Sequence, residues 1–293
     1  MGKILVFRGA TCEMAYILLK AFNKNVVYCD DDINNRKCIL IGKGIGFGVK
    51  EKQEILEINV DEVSYLYDSA NMSRFEGLSK NIENDIVGVV EEVIALINSE
   101  LKKELNEKIH VSLLDHVSFA IERHKNDIEI KNPFMIEIKS LYKQEFELAS
   151  TALSMINDKL KIELPQDEVG FIAMHIHAGI KNSSISKTSL NTAIIRDMVI
   201  FIEEEIGCTI DKDSIDYARL VNHIRFALDR ESKKIPIKNV LLGSIKRKLK
   251  DSYNLSKKVA KKIEDEYNIK LSQDEIGYLA MHLEKVKDNE RLS

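Results

Sequence analysis

Four histidines recur in pairs along this chain, and histidine can accept and release a phosphoryl group near neutral pH. His116 and His175 lie 59 residues apart, and so do His223 and His282. The neutral imidazole nitrogen is nucleophilic, and the phosphoramidate that it forms passes its phosphoryl group on readily. A single helical histidine is more often a structural residue. The repeated spacing sets these four apart from such a residue.

The sequence around the histidines is itself duplicated. Leu164–His175 recurs as Leu271–His282 with eight of twelve residues identical, and His116–Arg123 recurs as His223–Arg230. Both matches have the same offset of 107 residues. Two matches in one register indicate a duplicated domain rather than a chance similarity.

Each copy is predicted to be a bundle of helices, and we place the copies at residues 72–181 and 187–293. Apolar residues between Ile86 and Leu101 recur at the spacing of one helical face. Glu168 and Glu275 each stand seven residues before a histidine of the repeat. Each carboxylate therefore shares a helix face with that histidine and is placed to orient a ring. Asp115, next to His116, is a further candidate for this role.

Two polar segments are predicted to connect the domains. Asn182–Ser189 is rich in serine and is the expected linker between the two copies. Residues 61–75 are expected to join the first copy to the N-terminal part of the chain.

The N-terminal part has strand and turn signals instead of a helical pattern. Val26–Cys29 and Lys37–Ile41 are predicted strands, and Asp30–Asn35 between them has the composition of a turn. In Ile41–Gly48, glycine occupies every second position. Such a run either relieves crowding in a twisted hairpin or bulged strand, or lets the backbone approach a ligand beside a lysine charge and a stacking phenylalanine ring.

Composition restricts the class of protein. The chain has 293 residues, of which 31% are charged, and its formal net charge is −4. A chain that is basic throughout is therefore excluded, although residues 16–52 carry seven Lys or Arg against four Asp or Glu. The four cysteines form no C-x-x-C pair, so no zinc site and no other metal or cofactor is expected. The longest apolar runs are too short for a signal peptide or a membrane span, which favours a cytoplasmic protein without membrane insertion.

These observations predict a multidomain fold, in which a small all-β domain precedes two homologous all-α helical-bundle domains. At this point the residues resemble a known family, the BglG-type transcriptional antiterminators. The resemblance rests on Asn23-Lys-Asn25, on the glycine run and on the duplicated blocks, and it covers residues 14–293. That family joins a co-antiterminator RNA-binding domain, here residues 14–62, to two phosphotransferase-system regulation domains. The block Ala173–Ala178 is most similar to the glucose-type branch.

The resemblance implies that the N-terminal domain, as a homodimer, binds an RNA hairpin in a leader transcript and so prevents termination of a sugar-uptake operon. The family's RNA-contact positions fall on Lys20, Asn23, Asn25, Gly42, Lys43 and Phe47. The family often has arginine where Lys43 stands, and lysine keeps the charge but lacks the planar fork needed for bidentate contact. Lys24 interrupts the family's usual run of three asparagines, so a contact by the middle asparagine does not carry over.

The resemblance also implies that His116, His175, His223 and His282 are phosphorylated. A sugar-permease EII subunit would act on the first regulation domain and the phosphocarrier HPr on the second. Phosphoryl groups facing each other across a two-fold axis would repel and shift the dimer.

Two other classes of function compete with this interpretation. Paired histidines also fit a histidine-phosphotransfer or metal-dependent enzyme, and the same regulation domains would fit a DNA-binding activator. The activator requires a helix-turn-helix, whereas the N-terminal part has strand signals.

Residues 1–13 lie outside the resemblance, and Met14 is a natural start, so we expect these residues to be a non-native leader.

Overall fold

The computed structural model describes residues 7–8, 11–12, 15–56 and 60–290. The chain forms two compact units, one comprising residues up to 132 together with 144–185, the other comprising 133–143 and the chain from 186 onward. The predicted leader, residues 1–13, lies outside the described residues except for a two-stranded antiparallel pair, β1 (Phe7–Arg8) and β2 (Thr11–Cys12).

A five-stranded antiparallel sheet forms the N-terminal domain, which confirms the predicted small all-β domain. Its strands, in chain order, are β3 (Ala15–Ala21), β4 (Val26–Asp31), β5 (Arg36–Ile41), β6 (Glu54–Leu56) and β7 (Glu62–Tyr65). Their order across the sheet is β6-β3-β4-β5-β7. The predicted turn between β4 and β5 forms because the buried Asp31 carboxylate accepts the backbone N–H groups of Ile33 and Asn34, each at 3.1 Å. This is the local hydrogen bonding that makes aspartate a turn residue.

The sheet has apolar side chains on both faces. One face holds a cluster that includes Tyr16, Leu18, Val27 and Leu40. On the other face, Phe75 from the first helix meets the rings of Phe22 and Tyr28, with centroids 6.0 and 5.7 Å apart. A domain of some 50 residues is marginal alone, and this helix gives its sheet a second buried face.

The helices of the first unit confirm the periodic pattern of the sequence. They are α1 (Ser69–Asn81), α2 (Asn84–Leu101), α3 (Lys108–Lys125), most of α5 (Lys143–Leu160) and α6 (Asp167–Lys181). Helix α1 begins where the Asp68 carboxylate accepts the N–H groups of Ala70 and Asn71. Helix α6 ends where Asn182 adopts the left-handed conformation.

The second unit holds the helices of the second copy and one short helix that precedes it in sequence. They are α4 (Met135–Leu141), α7 (Ile185–Ile206), α8 (Ile215–Lys233), α9 (Leu242–Lys248), α10 (Lys250–Tyr267) and α11 (Gln273–Glu290). Helix α4 packs on α8, where the buried Tyr217 hydroxyl donates to Glu137 at 3.4 Å. None of the helices that the structure describes is both long and apolar enough to span a membrane.

Both predicted connecting segments contain regular structure. Ile185–Ser189 forms the first turn of α7, so only the first residues of the predicted linker are irregular. The segment lacks glycine and proline, and the helix is supported by the buried Thr192, whose hydroxyl donates to the Thr188 carbonyl at 2.9 Å. In the other segment, β7 pairs with β5 and α1 begins at Ser69. The sheet therefore continues past residue 62, where we had placed its boundary.

Candidate functional site

Two turns meet at one end of the sheet and bring most of the predicted RNA-contact residues together. The turn after β3 contains Asn23-Lys24-Asn25, and the glycine run follows β5. Gly42 donates its N–H to the Asn25 carbonyl and Gly46 to the Lys24 carbonyl, both at 3.0 Å. These backbone bonds fix the two turns against each other.

The glycine run forms tight turns rather than the twisted hairpin or bulged strand of our first interpretation. Gly44 and Gly48 have φ of +76° and +71°, in the left-handed region that glycine favours. A Cβ atom on Gly46 would lie 2.1 Å from the Asn23 carbonyl oxygen. The glycines therefore allow the backbone to fold closely on itself. The predicted relief of crowding by glycine is found, but in turns.

The two asparagines shape the turn with their carbonyl oxygens and point their amide nitrogens outward. Asn23 Oδ1 accepts the N–H groups of Asn25 and Val26, at 2.8 and 2.9 Å. Asn25 Oδ1 accepts the Gly44 N–H at 3.1 Å. Both Nδ2 groups donate to Glu92 Oε1 on α2, each at 3.1 Å. One carboxylate oxygen thus holds both amides.

Helices α1 and α2 cover part of this face. Lys20 Nζ donates to the Ser79 carbonyl of α1 at 2.7 Å, and the second oxygen of Glu92 pairs with Lys159. Gly88 of α2 makes the close approach possible, because a Cβ there would lie 2.3 Å from Asn23 Nδ2.

The remaining predicted positions differ in their exposure. Gly42 is buried in the turn, whereas Lys43 is exposed and the Phe47 ring is 83% exposed. An exposed lysine and ring beside amide donors offer the charge, stacking and hydrogen bonding that a single-stranded nucleotide requires. On this face the asparagine side is closed by α2, and the lysine and phenylalanine side is open.

The first histidine pair lies between α3 and α6. The rings of His116 and His175 have centroids 5.0 Å apart. His116 Nε2 lies 2.8 Å from Glu168 Oε2, and the other oxygen of Glu168 accepts from Arg123 Nη2 at 2.7 Å. Glu168 is thus the carboxylate that orients His116, whereas Asp115 is exposed.

Burial favours the neutral form of His175. Burial, together with the nearby His116, lowers the pKa of His175 to about 3. Burial alone would raise the pKa of Glu168, but its hydrogen bonds to His116 and Arg123 hold that pKa below its usual range. His175 therefore keeps a neutral imidazole, the nucleophilic form, and the carboxylate of Glu168 on the same helix is ionised.

The second pair repeats this arrangement with one difference. His223 and His282 have centroids 4.9 Å apart, and burial followed by the nearby His282 lowers the pKa of His223 to about 4. Arg230 donates to both oxygens of Glu275, through Nε at 2.5 Å and Nη2 at 2.9 Å. His223 Nε2 lies 3.6 Å from Glu275 and has no hydrogen-bond partner among the described residues. In the second copy both carboxylate oxygens of Glu275 bind Arg230. In the first copy one oxygen of Glu168 binds Arg123 and the other contacts His116.

Two of the three histidines outside the repeat have carboxylate partners. His177 Nδ1 lies 2.8 Å from Glu145 Oε1, and the buried His110 Nδ1 lies 2.6 Å from Glu91 Oε2. His124 is exposed. Among the residues that the structure describes, no group of three or more His, Cys, Asp or Glu side chains is placed to hold a metal ion.

Sequence reasoning missed the arginines and the covering residues. Arg123 and Arg230 stand at equivalent positions of the repeat, so the duplication contained a signal for them. Glu92 has no such signal, because its partners lie 67 and 69 residues away and depend on how α2 meets the sheet.

Comparison with known proteins identifies families that successive parts of the chain resemble. The family described as CAT RNA binding domain matches residues 16–73, and the family described as PRD domain matches residues 91–179 and 196–286. Residues 16–73 therefore match an RNA-binding family and not the helix-turn-helix that a DNA-binding activator would require.

Whole-chain relatives and one solved structure extend the match. Protein GlcT of Staphylococcus haemolyticus is 33% identical over 271 residues, covering 92% of this chain and 95% of that protein. Transcription antiterminator LicT of Bacillus subtilis is 31% identical over 272 residues, covering 92% and 98%. The crystal structure of GlcT CAT-PRDI is 36% identical with a TM-score of 0.51, and the match covers 57% of this chain and 99% of that one. With an RNA-binding domain, two regulation domains and relatives of this identity along nearly its whole length, the chain belongs to the BglG-type family of transcriptional antiterminators, on its glucose-type branch.

Proposed function

We propose that this chain is a regulator rather than an enzyme, and that it binds a hairpin in a leader transcript and so prevents termination of a sugar-uptake operon. The observation that carries this function is the end of the sheet where Lys43 and Phe47 are exposed beside the amides of Asn23 and Asn25. Lys43 and Phe47 offer a charge and a stacking ring, and the amide groups of Asn23 and Asn25 become available once the Glu92 carboxylate moves away.

Binding of the full chain to leader hairpins tests this function. The hairpins come from upstream of neighbouring sugar-transport genes, and a salt series reports the contribution of phosphate contacts. We expect Phe47→Ala to weaken binding by about tenfold or more, since stacking on one base contributes roughly 1–3 kcal/mol. Lys43→Ala should weaken binding and reduce its salt dependence. Arg36→Ala is the matched control, because Arg36 begins β5 at the opposite end of the sheet. Unchanged binding in both test variants would contradict the proposal.

Phosphorylation of the paired histidines is the proposed control of this binding. The donors are the phosphocarrier HPr and a sugar-permease EII subunit. In each transfer a nitrogen of the acceptor histidine forms a bond to phosphorus as the bond between phosphorus and the donor's side-chain atom breaks, and that donor atom keeps the electron pair. For His116 Nε2 to react, its contact with Glu168 must open, because the carboxylate occupies that side of the ring and repels the phosphoryl anion. His223 Nε2 lacks such a hydrogen bond but is buried, so the second pair must also open before a donor can reach this nitrogen.

Mass spectrometry of the full chain after incubation with phosphorylated HPr or with phosphorylated permease subunit locates the sites. We expect phosphate on His116, His175, His223 or His282, and none on His124 or His177. A homodimer that changes its association on phosphorylation would appear in sedimentation measurements. Phosphate only on histidines outside the repeat would contradict the proposed control.

A further inference from the structure

One segment of the second unit combines exposed apolar side chains with an excess of positive charge. Residues 233–250 contain seven Lys or Arg and no Asp or Glu. Within them, Ile235, Val240 and Leu241 are 51, 82 and 54% exposed. We call residues 233–250 the basic-apolar edge. Exposed apolar side chains grouped in this way and surrounded by polar residues are characteristic of an interaction surface.

The basic-apolar edge is held in one piece. Its loop lies against the start of α11, where Asn239 donates its N–H to Asp274 at 2.8 Å and the Tyr278 hydroxyl donates to the Lys238 carbonyl at 3.1 Å. In α9, Lys246 Nζ lies 5.3 Å from the centre of the Tyr253 ring. These contacts hold the loop against α11 and join α9 to the start of α10.

The positive charges of the edge face solvent. The three basic residues of α9, Lys246 to Lys248, are exposed, and so are Lys233 and Lys250. Lys234 pairs with Glu231 at 2.5 Å, but an exposed pair one turn apart on a helix contributes little. Most of this charge is available to an external partner.

The first copy of the domain shows that the fold does not require this charge. Residues 126–143 occupy the equivalent positions and contain three basic and three acidic residues. The apolar positions are kept there, since Ile128 and Ile130 are also exposed. The two copies thus share exposed apolar residues in this loop, and only the second surrounds them with positive charge.

We propose that the basic-apolar edge docks on the surface of an anionic lipid bilayer. Val240 and Leu241 enter the headgroup region, and the lysines and the arginine of the edge face the lipid phosphates. An RNA would neutralise the charges but leave these apolar side chains in water. An anionic bilayer takes up both, because it offers negative charge at its surface and apolar volume just beneath it. This inference is independent of the RNA-binding function.

Co-sedimentation of the full chain with lipid vesicles tests the proposal. Vesicles of phosphatidylglycerol and phosphatidylcholine should bind the protein, vesicles of phosphatidylcholine alone should not, and added salt should weaken binding. We expect the double variant Val240→Ser with Leu241→Ser to bind anionic vesicles at least about tenfold more weakly than the parent, because it loses the burial of both apolar side chains. Replacing Lys246, Arg247 and Lys248 by Gln should have a similar effect. These side chains are exposed, so the variants are expected to fold.

Two matched controls separate this edge from other surfaces. Ile128→Ser alters an exposed isoleucine in the equivalent loop of the first copy, and Lys43→Gln alters the N-terminal face; both should leave vesicle binding unchanged. Absence of binding to anionic vesicles by the folded protein overturns the proposal. Binding that survives the Val240 and Leu241 substitutions overturns it too, because charge alone would then account for it. If the parent does not bind vesicles and the variant with Gln at positions 246, 247 and 248 loses RNA binding, the edge binds nucleic acid instead.

Discussion

Removing the Glu92 carboxylate should open the proposed RNA-binding face. In the structure, Glu92 accepts the amide groups of Asn23 and Asn25 through one oxygen and pairs with Lys159 through the other. RNA that uses either asparagine amide must first displace this carboxylate. Glu92→Ala leaves both amides and the lysine without that partner, so the covered arrangement loses stability relative to an open one.

The size of the effect follows from the contacts. A hydrogen bond to a charged group contributes about 1.5–3 kcal/mol. The two amides share one oxygen and Lys159 is about one-third exposed, so we take about 2 kcal/mol for the whole group rather than a sum. Since 1.4 kcal/mol is a factor of ten, the covered state should weaken by about 30-fold. Where that state predominates, the apparent affinity for RNA rises by up to the same factor.

Fluorescence anisotropy with a labelled leader hairpin and the unphosphorylated full chain measures this change. Glu83→Gln is the matched control, because Glu83 stands just before the same helix, makes no capping hydrogen bond with its side chain, and contacts the exposed Lys125 instead. If Glu92→Ala binds RNA with the affinity of the parent while Lys43→Ala still weakens binding, the covering contact does not restrict the RNA-binding face.

Three further predictions concern stability and phosphorylation. Gly46→Ala should reduce the free energy of unfolding by about 1–3 kcal/mol in urea titrations, because its Cβ would collide with the Asn23 carbonyl; Gly77→Ala, in an open helical position, should cause no loss. The pKa is lowered to about 3 for His175 and to about 4 for His223, whereas an unfolded histidine has a pKa of about 6.5. The stability that these neutral histidines contribute is therefore fully present above about pH 6.5 and is lost as the pH falls toward the two lower values. A His223→Gln variant should therefore show a weaker loss of thermal stability between pH 6.5 and 4, and an unchanged loss would contradict this. Glu168→Gln should speed phosphorylation of His116 by weakening its contact, measured by mass spectrometry over time; a slower reaction would contradict the blocking role of Glu168.

The sequence predicted the parts of the structure that depend on local pattern or on the repeat. Helical periodicity identified α2, and the turn composition identified the connection after β4. The duplication predicted that His116 and His175 belong together, and their rings lie 5.0 Å apart. It also put Glu168 on the face of His175, where its carboxylate reaches His116 of the neighbouring helix.

The remaining features depend on long-range packing. The start of α7 was hidden because its serines and threonines favour loops in isolation, whereas the helix buries Thr188 and Thr192. The closed asparagine side of the RNA-binding face depends on Gly88 and Glu92, which look like ordinary positions of an apolar helix in the sequence. Their role follows only from the way in which α2 meets the turn after β3.

Helix α4 has a consequence for how this chain can assemble. It belongs by sequence to the first copy, yet its partners are on α8 of the second unit. The Arg225 guanidinium lies over the ring of Tyr142, the residue that follows the helix, and the Tyr217 hydroxyl donates to Glu137. A protein cut after residue 185 would keep α4 and lose these partners. The uncovered side chains would favour exchange of the helix between molecules, so fragments with a single regulation domain should be prone to domain-swapped association that the intact chain avoids.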